Sequence, residues 1–395
     1  MNRFILIHYS EIGLKKSNKE YFVRKLRDQI KYRLEQKFHE TFKIMHILSR
    51  LFIPLEFPFD EKEYVDVLKK IFGIKNFQFV YEGSLNIEKL GLEIWENMPD
   101  VLKTDEVKNK SFCVRAKRSQ LMETGSFESE GMLGEILLKK GIGMSVKMKE
   151  SDFVFNVEFL NEAGYFSYLK YSGMGGMSGQ SGDKLVSLIS AGIDSPVASF
   201  RMMKRGARVI FAHFHAYPYT DMSEIDNVKK LVEILSGYQF NTRLFLLPFG
   251  DIQKKIATNL DIDPKIRVVL YRRFMLRIAE KIARKVKAKG LITGDSYAQV
   301  ASQTAQNLFA IHDVTTIPLF QPLISFDKED IVSQAKAIET FDISKLPCND
   351  TCSMFSPEHP ELKASVYDLA DIEKNLPVEK WVNEVLDNAE IIDFT

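Results

Sequence analysis

Apolar residues along this chain fall into two rhythms, and the change between them lies in a stretch rich in glycine and serine. Near the start, RFILIHY is a strand-like run, and an amphipathic helical pattern follows it in which Phe22, Leu26, Ile30 and Leu34 recur every four residues. ILSRLFIPLEF predicts a strand. KEYVDVLKKIFGI predicts a helix with Val65, Leu68 and Ile71 inward, and FQFVYEGS predicts another strand. SFCVRAKRSQ predicts a strand leading into a basic loop, and SFESEGMLGEILLKKG a helix. SDFVFNVEFL and GYFSYLKYSG predict a closing pair of strands. Such a mixture implies an α+β arrangement with antiparallel pairing.

Past GMGGMSGQSG, residues 173–182, strands and helices alternate. LVSLIS, a helix over PVASFRMMKRG, VIFAHFHAYP, a helix from Ser223 to Ser236, TRLFLLPF, a long helix from Pro264 to Lys289 and GLITGDS follow in turn. That order predicts a parallel sheet with covering helices. The division expected is 1–60, 61–172, a linker at 173–182, and 183–395.

The chain has 395 residues and a formal net charge of +1, so total charge names no partner. Its distribution is more informative. The first fifty residues hold 12 Lys and Arg against 5 Asp and Glu, and the excess sits on the polar face of the first helix: Arg24, Lys25, Arg27, Lys31 and Arg33. A local basic face suits a polyanion. No apolar run reaches the ~18 residues of a membrane span, and the N-terminus lacks a signal-peptide core. Three cysteines, Cys113, Cys348 and Cys352, are too few for a disulfide framework and suit a reducing cytoplasm.

The strand ending at Leu188 and Ile189 is followed by SAGIDS, which feeds a helix. A loop in that place presents free backbone N–H groups to an anion. Gly192 allows close approach, Ser190 and Ser195 add hydroxyls, and Pro196 suits a first helical turn. Asp194 is unusual beside phosphate, since a carboxylate repels it; it is expected to order the loop or to act through Mg2+. The spacing is neither that of a Walker A loop nor of a dinucleotide-binding fingerprint.

SAGIDS resembles SGGxDS, the PP-loop of enzymes that split ATP to AMP and pyrophosphate, with Ala191 in place of the usual glycine. One methyl there is tolerable where φ is negative. Further segments narrow the resemblance: HFHAYPYT (213–220), YRRFMLRIAEKIA (271–283), GDSYAQVASQTAQNL (294–308), PLISFDKEDIVSQAKAIETFDIS (322–344), ILIHYSEIGLKKSNKEYF and GMGGMSGQSGDK. Together they are similar to the tRNA 4-thiouridine synthase family, in its form without a rhodanese domain, along nearly the whole chain.

The resemblance implies a ferredoxin-like domain, a THUMP RNA-binding domain and a PP-loop domain. It implies adenylation of the C4 oxygen of uridine at tRNA position 8, then replacement of AMP by sulfur from a protein persulfide. It places nucleotide contacts on Leu188, Ile189, His213, Phe214, Arg272, Gly294 and Gln303, with Ser190, Gly192, Asp194 and Ser195 as loop residues. In LPCNDTCSMF it places the persulfide on Cys352, with Cys348 as the partner thiol. Buried structural thiols, or two ligands of an Fe–S cluster, are the alternatives; a cluster would need a further ligand, since Cys113 lies in a strand of another domain. Lacking a rhodanese domain counts against a role in making the thiazole of thiamin.

Arg115, Lys117 and Arg118, with Lys139 and Lys140, fall in the THUMP-like part and join Arg24 and Lys25 as candidate phosphate contacts. The implied partners are tRNA, a cysteine desulfurase as sulfur donor, and a second copy of the chain. Two rivals stand: another PP-loop ligase, such as a lysidine or GMP synthetase, or a non-catalytic RNA-binding protein. The paired cysteines and the RNA-binding front half argue against the first.

Overall fold

The computed structural model describes residues 1–118, 124–160, 162–347, 355 and 357–394. These divide into two compact units, Met1–Ser178 and Gly179–Thr395, and the division falls inside the glycine- and serine-rich stretch.

In the first unit the elements run β1 (Arg3–Tyr9), α1 (Lys19–Phe38), β2 (Met45–Ile47), β3 (Arg50–Leu55), α2 (Glu61–Leu68), β4 (Ile74–Gly83), α3 (Ile87–Glu96), β5 (Ser111–Arg118), α4 (Ser126–Lys139), β6 (Ser145–Val146), β7 (Phe153–Leu160), β8 (Ala163–Ser167) and β9 (Tyr171–Ser172). The strands form one nine-stranded sheet in the order β2-β3-β1-β4-β8-β7-β5-β6, with β9 added on β4. β4 is the shared member: it pairs antiparallel with β1 on one side and with β8 on the other. β7 and β8 pair antiparallel as their alternation predicts, whereas β5 and β7 run parallel because α4 carries the chain back between them.

Two helix-covered cores lie on this sheet. The first joins Ile5, Ile7, Leu26, Ile30 and Leu34 to Tyr64, Val65, Leu68 and Phe77, so it continues well past residue 60. The second packs Leu90 and Ile94 of α3 and Leu133 and Leu137 of α4 on Phe112, Val114 and Phe155. The segment ILSRLFIPLEF forms the expected strand from Arg50 to Leu55 (β3); its first residue, Ile47, ends β2, because Leu48 and Ser49 turn the chain between the two strands at φ 45° and 65°. The helix expected over KEYVDVLKKIFGI stops at Leu68. Ile71 is still buried, but in the turn that Gly73, at φ +94°, allows.

Gly173–Ser178 is held to the first unit rather than hanging from it. The Gly173 N–H donates to Lys75 O at 2.9 Å, that of Gly175 to Ile74 O at 2.7 Å, and that of Gly73 to Gly175 O at 2.8 Å. A Cβ on Gly173 would stand 2.4 Å from the Ile74 carbonyl oxygen, so glycine serves close backbone approach here.

The second unit runs β10 (Lys184–Leu188), α5 (Asp194–Lys204), β11 (Arg208–His215), α6 (Ser223–Ser236), β12 (Thr242–Pro248), α7 (Gly250–Ala257), α8 (Arg267–Val286), β13 (Leu291–Ile292), α9 (Ala305–His312), β14 (Leu319–Phe320), α10 (Lys328–Ala337), α11 (Phe341–Ser344), α12 (Val366–Lys374), α13 (Val378–Asp387) and β15 (Glu390–Phe394). The sheet order is β14-β13-β10-β11-β12-β15, parallel except for the β15 edge. From β10 the chain moves outward through β11 and β12, then crosses back to place β13 on the other side of β10. The strand order therefore reverses between β10 and β13, and a crevice opens at their carboxyl ends, where ligands bind in such sheets. α8 lies in an extensive apolar cluster, with Leu270, Phe274 and Ile278 together with Val186, Ala212 and Leu247.

Candidate functional site

The loop from Ser190 to Ser195 stands at that crevice and is laced by serines. Ser190 N–H donates to Ser195 Oγ at 2.9 Å, Ser195 Oγ donates back to Ser190 O at 3.3 Å, and the two hydroxyls lie 3.2 Å apart. Behind them Ser199 Oγ donates to Ser195 O at 2.8 Å and shares a buried 2.8 Å bond with Ser187 Oγ. The hydroxyls expected to face an anion are thus joined first to each other. With Ser190 N–H given to Ser195 Oγ and Gly192 N–H reaching Ser190 Oγ at 3.4 Å, the donors left at this turn are the backbone N–H groups of the first turn of α5.

Two glycines have different reasons. A Cβ on Gly294 would meet Ser195 N at 2.8 Å, so the segment after β13 passes against the start of α5 only as glycine. A Cβ on Gly192 would meet only Ser190 Oγ, at an ordinary 3.5 Å, and its φ is not positive. Nothing within the protein demands glycine there, so the space it leaves faces outward from the loop. Ala191 is buried and has no positive φ, so the methyl that departs from the SGGxDS pattern sits without strain.

Asp194 opens α5 without capping it, since the helix has no side-chain cap. Its carboxylate takes Lys328 Nζ on Oδ1 at 2.5 Å and Gln299 Nε2 on Oδ2 at 3.4 Å. Ser344 of α11 donates to Gly192 O at 3.2 Å. The loop is therefore gripped from α10 and α11, which lie far along the chain. Neither Lys328 nor Ser344 carries a local signal that marks it; only the fold brings them here.

His213 and His215 belong to β11. The His213 ring is buried, and its Nδ1 donates to Ile189 O at 3.0 Å. A carbonyl only accepts, so Nδ1 carries the proton and Nε2, buried without a partner among the described residues, is a bare acceptor. Burial pushes the His213 pKa down to about 4, and burial followed by the charge of Lys229 does the same for His215. Phe214 alternates to the opposite face, where its ring packs on Phe249 at 5.5 Å; its backbone, not its ring, faces the strand end. Leu188 is partly buried against that same cluster.

The third side of the crevice is a buried polar cluster. Arg272 Nη2 lies 2.5 Å from Asp295 Oδ1, and Gln303 Nε2 donates to the same oxygen at 3.2 Å. Burial alone would raise the Asp295 pKa; Arg272 and hydrogen bonds from Thr293, Arg272 and Gln321 outweigh it and hold the carboxyl at about 2. Thus Leu188, Ile189, Ser190, Gly192, Asp194, Ser195, His213, Arg272, Gly294 and Gln303 converge on one crevice, and Phe214 contributes only main chain.

Cys348 and Cys352 lie outside the described residues. The chain before them is tied to the loop through Ser344, and after them the Phe355 ring meets Tyr219 with centroids 6.5 Å apart. Cys113 is buried in β5, its Sγ 3.0 Å from Ser151 Oγ, as a packed thiol of the first unit. Among the described residues no group of three or more His, Cys, Asp or Glu side chains gathers as a metal site, and no helix is long and apolar enough to cross a membrane.

The basic candidates of the first unit differ in their surroundings. Arg24 is exposed, and both Arg24 and Lys25 lie 5.9 Å from the centroid of the Tyr21 ring, beside a groove lined by Arg27 and His46. Arg115 bonds Glu130 at 3.4 Å and the Met148 carbonyl, Lys117 lies 3.6 Å from Glu158, and Lys139 pairs with Glu135 at 2.7 Å. Arg118 and Lys140 are exposed. Glu158, buried between His8 at 2.6 Å and Arg50 at 2.5 Å, is a hub that the sequence pattern did not single out.

Known proteins resemble the chain over its whole length. The ThiI family model, described as "Thiamine biosynthesis protein (ThiI)", matches residues 179–378, and the ThiI ferredoxin-like domain matches residues 4–78. A probable tRNA sulfurtransferase of Clostridium perfringens is 36% identical over 100% of both chains. Another, of a Thermoanaerobacter species, is 34% identical over 97% of this chain and 98% of its own. A crystal structure of a 4-thiouridine synthetase in complex with RNA and bound ATP superposes with a TM-score of 0.86, at 32% identity, covering 100% of both chains.

Proposed function

The chain belongs to the tRNA sulfurtransferase family, and on that premise we propose that it makes 4-thiouridine in tRNA at the expense of ATP, with the crevice between β10 and β13 as the nucleotide site. The observation that carries the assignment is Gly192: the protein's own packing does not require glycine there, whereas a phosphate seated on the loop does.

In the first step the C4 oxygen of uridine at tRNA position 8 attacks the α-phosphate of ATP and pyrophosphate leaves. The uracil carbonyl, a poor leaving group, becomes an AMP ester, a good one. The N–H groups at the start of α5 hold phosphate oxygens, and Arg272 adds charge where pyrophosphate departs. A Mg2+ ion brought with the nucleotide would neutralise phosphate charge there. Asp194 is the carboxylate we assign beside it, and Lys328 balances its charge. The main chain at Ile189, His213 and Phe214 meets the base.

In the second step the terminal sulfur of a Cys352 persulfide attacks C4 and AMP leaves, giving a C4–S–S–Cys352 linkage. The Cys348 thiolate then attacks Cys352 Sγ, which releases the C4 sulfur as 4-thiouridine and leaves a Cys348–Cys352 disulfide. A thiol reductant reopens that disulfide, and a cysteine desulfurase reloads Cys352. The target base leaves its stack to reach the crevice, at a cost of about a few kcal/mol. Arg24, Lys25 and the basic ends of β5 and α4 hold tRNA phosphates, and we assign a homodimer in which one copy's first unit presents tRNA to its partner.

The test is 4-thiouridine in unfractionated tRNA incubated with the protein, Mg-ATP and a cysteine desulfurase with cysteine. Product that requires ATP, with pyrophosphate released in equal amount, is the expected result. Neither product nor pyrophosphate would leave an RNA-binding protein.

A further inference from the structure

Asp295 follows β13 by three residues and is 3% exposed. Four donors from separate stretches of chain meet its two oxygens. Oδ1 accepts Arg272 Nη2 of α8 at 2.5 Å and Gln303 Nε2 at 3.2 Å; Oδ2 accepts Thr293 Oγ1 at 2.7 Å and Gln321 Nε2 at 3.1 Å. A carboxylate has about four lone-pair directions, and all are occupied. It has no capacity left for a proton or a metal ion, so whatever it does for the reaction it does through its donors.

Two of those donors, Arg272 and Gln303, belong to the nucleotide set. Beyond Asp295, Arg272 Nη1 reaches Ser302 O at 3.4 Å and Ser302 Oγ at 3.3 Å, both long. The short ionic bond to Asp295 is therefore what sets the plane of the guanidinium. Gln303 spends Nε2 on Asp295, and its Oε1 is buried without a partner among the described residues. A buried acceptor left open is costly unless a ligand donor fills it.

We propose that Asp295 is the positioning residue of the nucleotide site. It fixes one edge of Arg272 so that the remaining N–H groups serve the phosphates, and it turns the Gln303 amide so that its carbonyl meets a donor group of the nucleotide. This assignment rests on the ATP site proposed above, and it deepens that site.

The test is a pair of double-substitution cycles read as ATP affinity by equilibrium dialysis, with KM and kcat for tRNA-dependent pyrophosphate release and the thermal midpoint alongside. Asp295→Asn keeps the shape, removes the charge and turns a donor toward one pair of partners. It is expected to weaken ATP binding by about ten- to a hundredfold, the cost of misplacing a clamping group. If Asp295 acts through Arg272, then Asp295→Asn on top of Arg272→Gln costs no more than about a further twofold, and likewise on Gln303→Leu. Thr293→Val, which removes one Oδ2 donor, gives the same non-additivity at smaller amplitude should Asp295→Asn fail to fold. Additive losses, or a lowered thermal midpoint with ATP affinity unchanged, would make Asp295 a structural residue and overturn the proposal. ATP bound by the wild type but equally by Asp295→Asn refutes the positioning role alone, whereas no ATP bound by the wild type refutes the nucleotide site itself.

Discussion

Lys328 Nζ stands 2.5 Å from Asp194 Oδ1, joining the first residue of α10 to the first residue of α5 across 134 positions of sequence. Both side chains are partly exposed, so the pair adds only about 0–1 kcal/mol to stability. Its value is local. An unbalanced carboxylate at the mouth of a phosphate loop repels the triphosphate. Lys328→Met should therefore lower pyrophosphate release by about tenfold or more, while the thermal midpoint moves by a degree or two. Equal activity in the variant would show that Asp194 needs no counter-charge.

The two glycines of the crevice should separate stability from binding. Gly294→Ala forces a Cβ to within 2.8 Å of Ser195 N and should destabilise the second unit by about 1–3 kcal/mol. Gly192→Ala meets only an ordinary contact and should leave the midpoint nearly unchanged, yet weaken ATP about tenfold or more by filling the space over the loop. Thermal unfolding and ATP titration on both variants decide the matter; similar behaviour of the two would refute the distinction.

Cys352→Ala should release pyrophosphate from Mg-ATP in the presence of tRNA but form no 4-thiouridine, because the first step involves no thiol. Cys348→Ala should form product only in the presence of added dithiothreitol, which resolves the mixed disulfide in its place. Loss of pyrophosphate release in Cys352→Ala would place the thiol in the first step instead.

Acid should destabilise the protein in two stages. His213 and His215 are neutral by burial, with pKa values held from 6.5 down to about 4. Below pH 6.5 the unfolded chain binds protons that the folded one refuses, so this stability is present above 6.5 and is lost as pH falls toward 4. Glu158 and Asp295, each held at about 2, contribute stability present above the ordinary carboxylate range and lost as pH falls through about 2. For Glu158, burial opposes ionisation, and His8, Arg50 and Lys117 overcome it. Denaturant midpoints between pH 8 and 4 should fall less steeply in His213→Asn than in wild type; parallel curves would refute the assignment.

Binding of tRNA should weaken linearly in log Kd against log salt, as counterions return to the phosphates. Arg24→Ala with Lys25→Ala should reduce the slope by about 1.8, since each contact to a duplex releases roughly 0.9 counterion. Arg115→Ala and Lys117→Ala should change it less, because each already answers a carboxylate. A slope unchanged by Arg24→Ala and Lys25→Ala would move the interface away from α1.

The sequence by itself determined the alternation of strand and helix after residue 182, the loop at Ser190–Ser195 and the basic face of α1, because each is written in contiguous residues at spacings of two or about four. It determined much less where a two-residue strand such as β14 carries no period at all. The hairpin at Leu48 and Ser49 was hidden because positive φ in ordinary residues leaves no mark. Only the tertiary structure decided that β4 unites the first unit in one sheet, that Lys328 and Ser344 grip the loop at Ser190–Ser195, and that Asp295 gathers Arg272, Gln303 and Gln321. Those relations join residues up to 152 positions apart. A local pattern records the face a residue turns toward the core, but which other segment meets it there is settled by the path of the whole sheet.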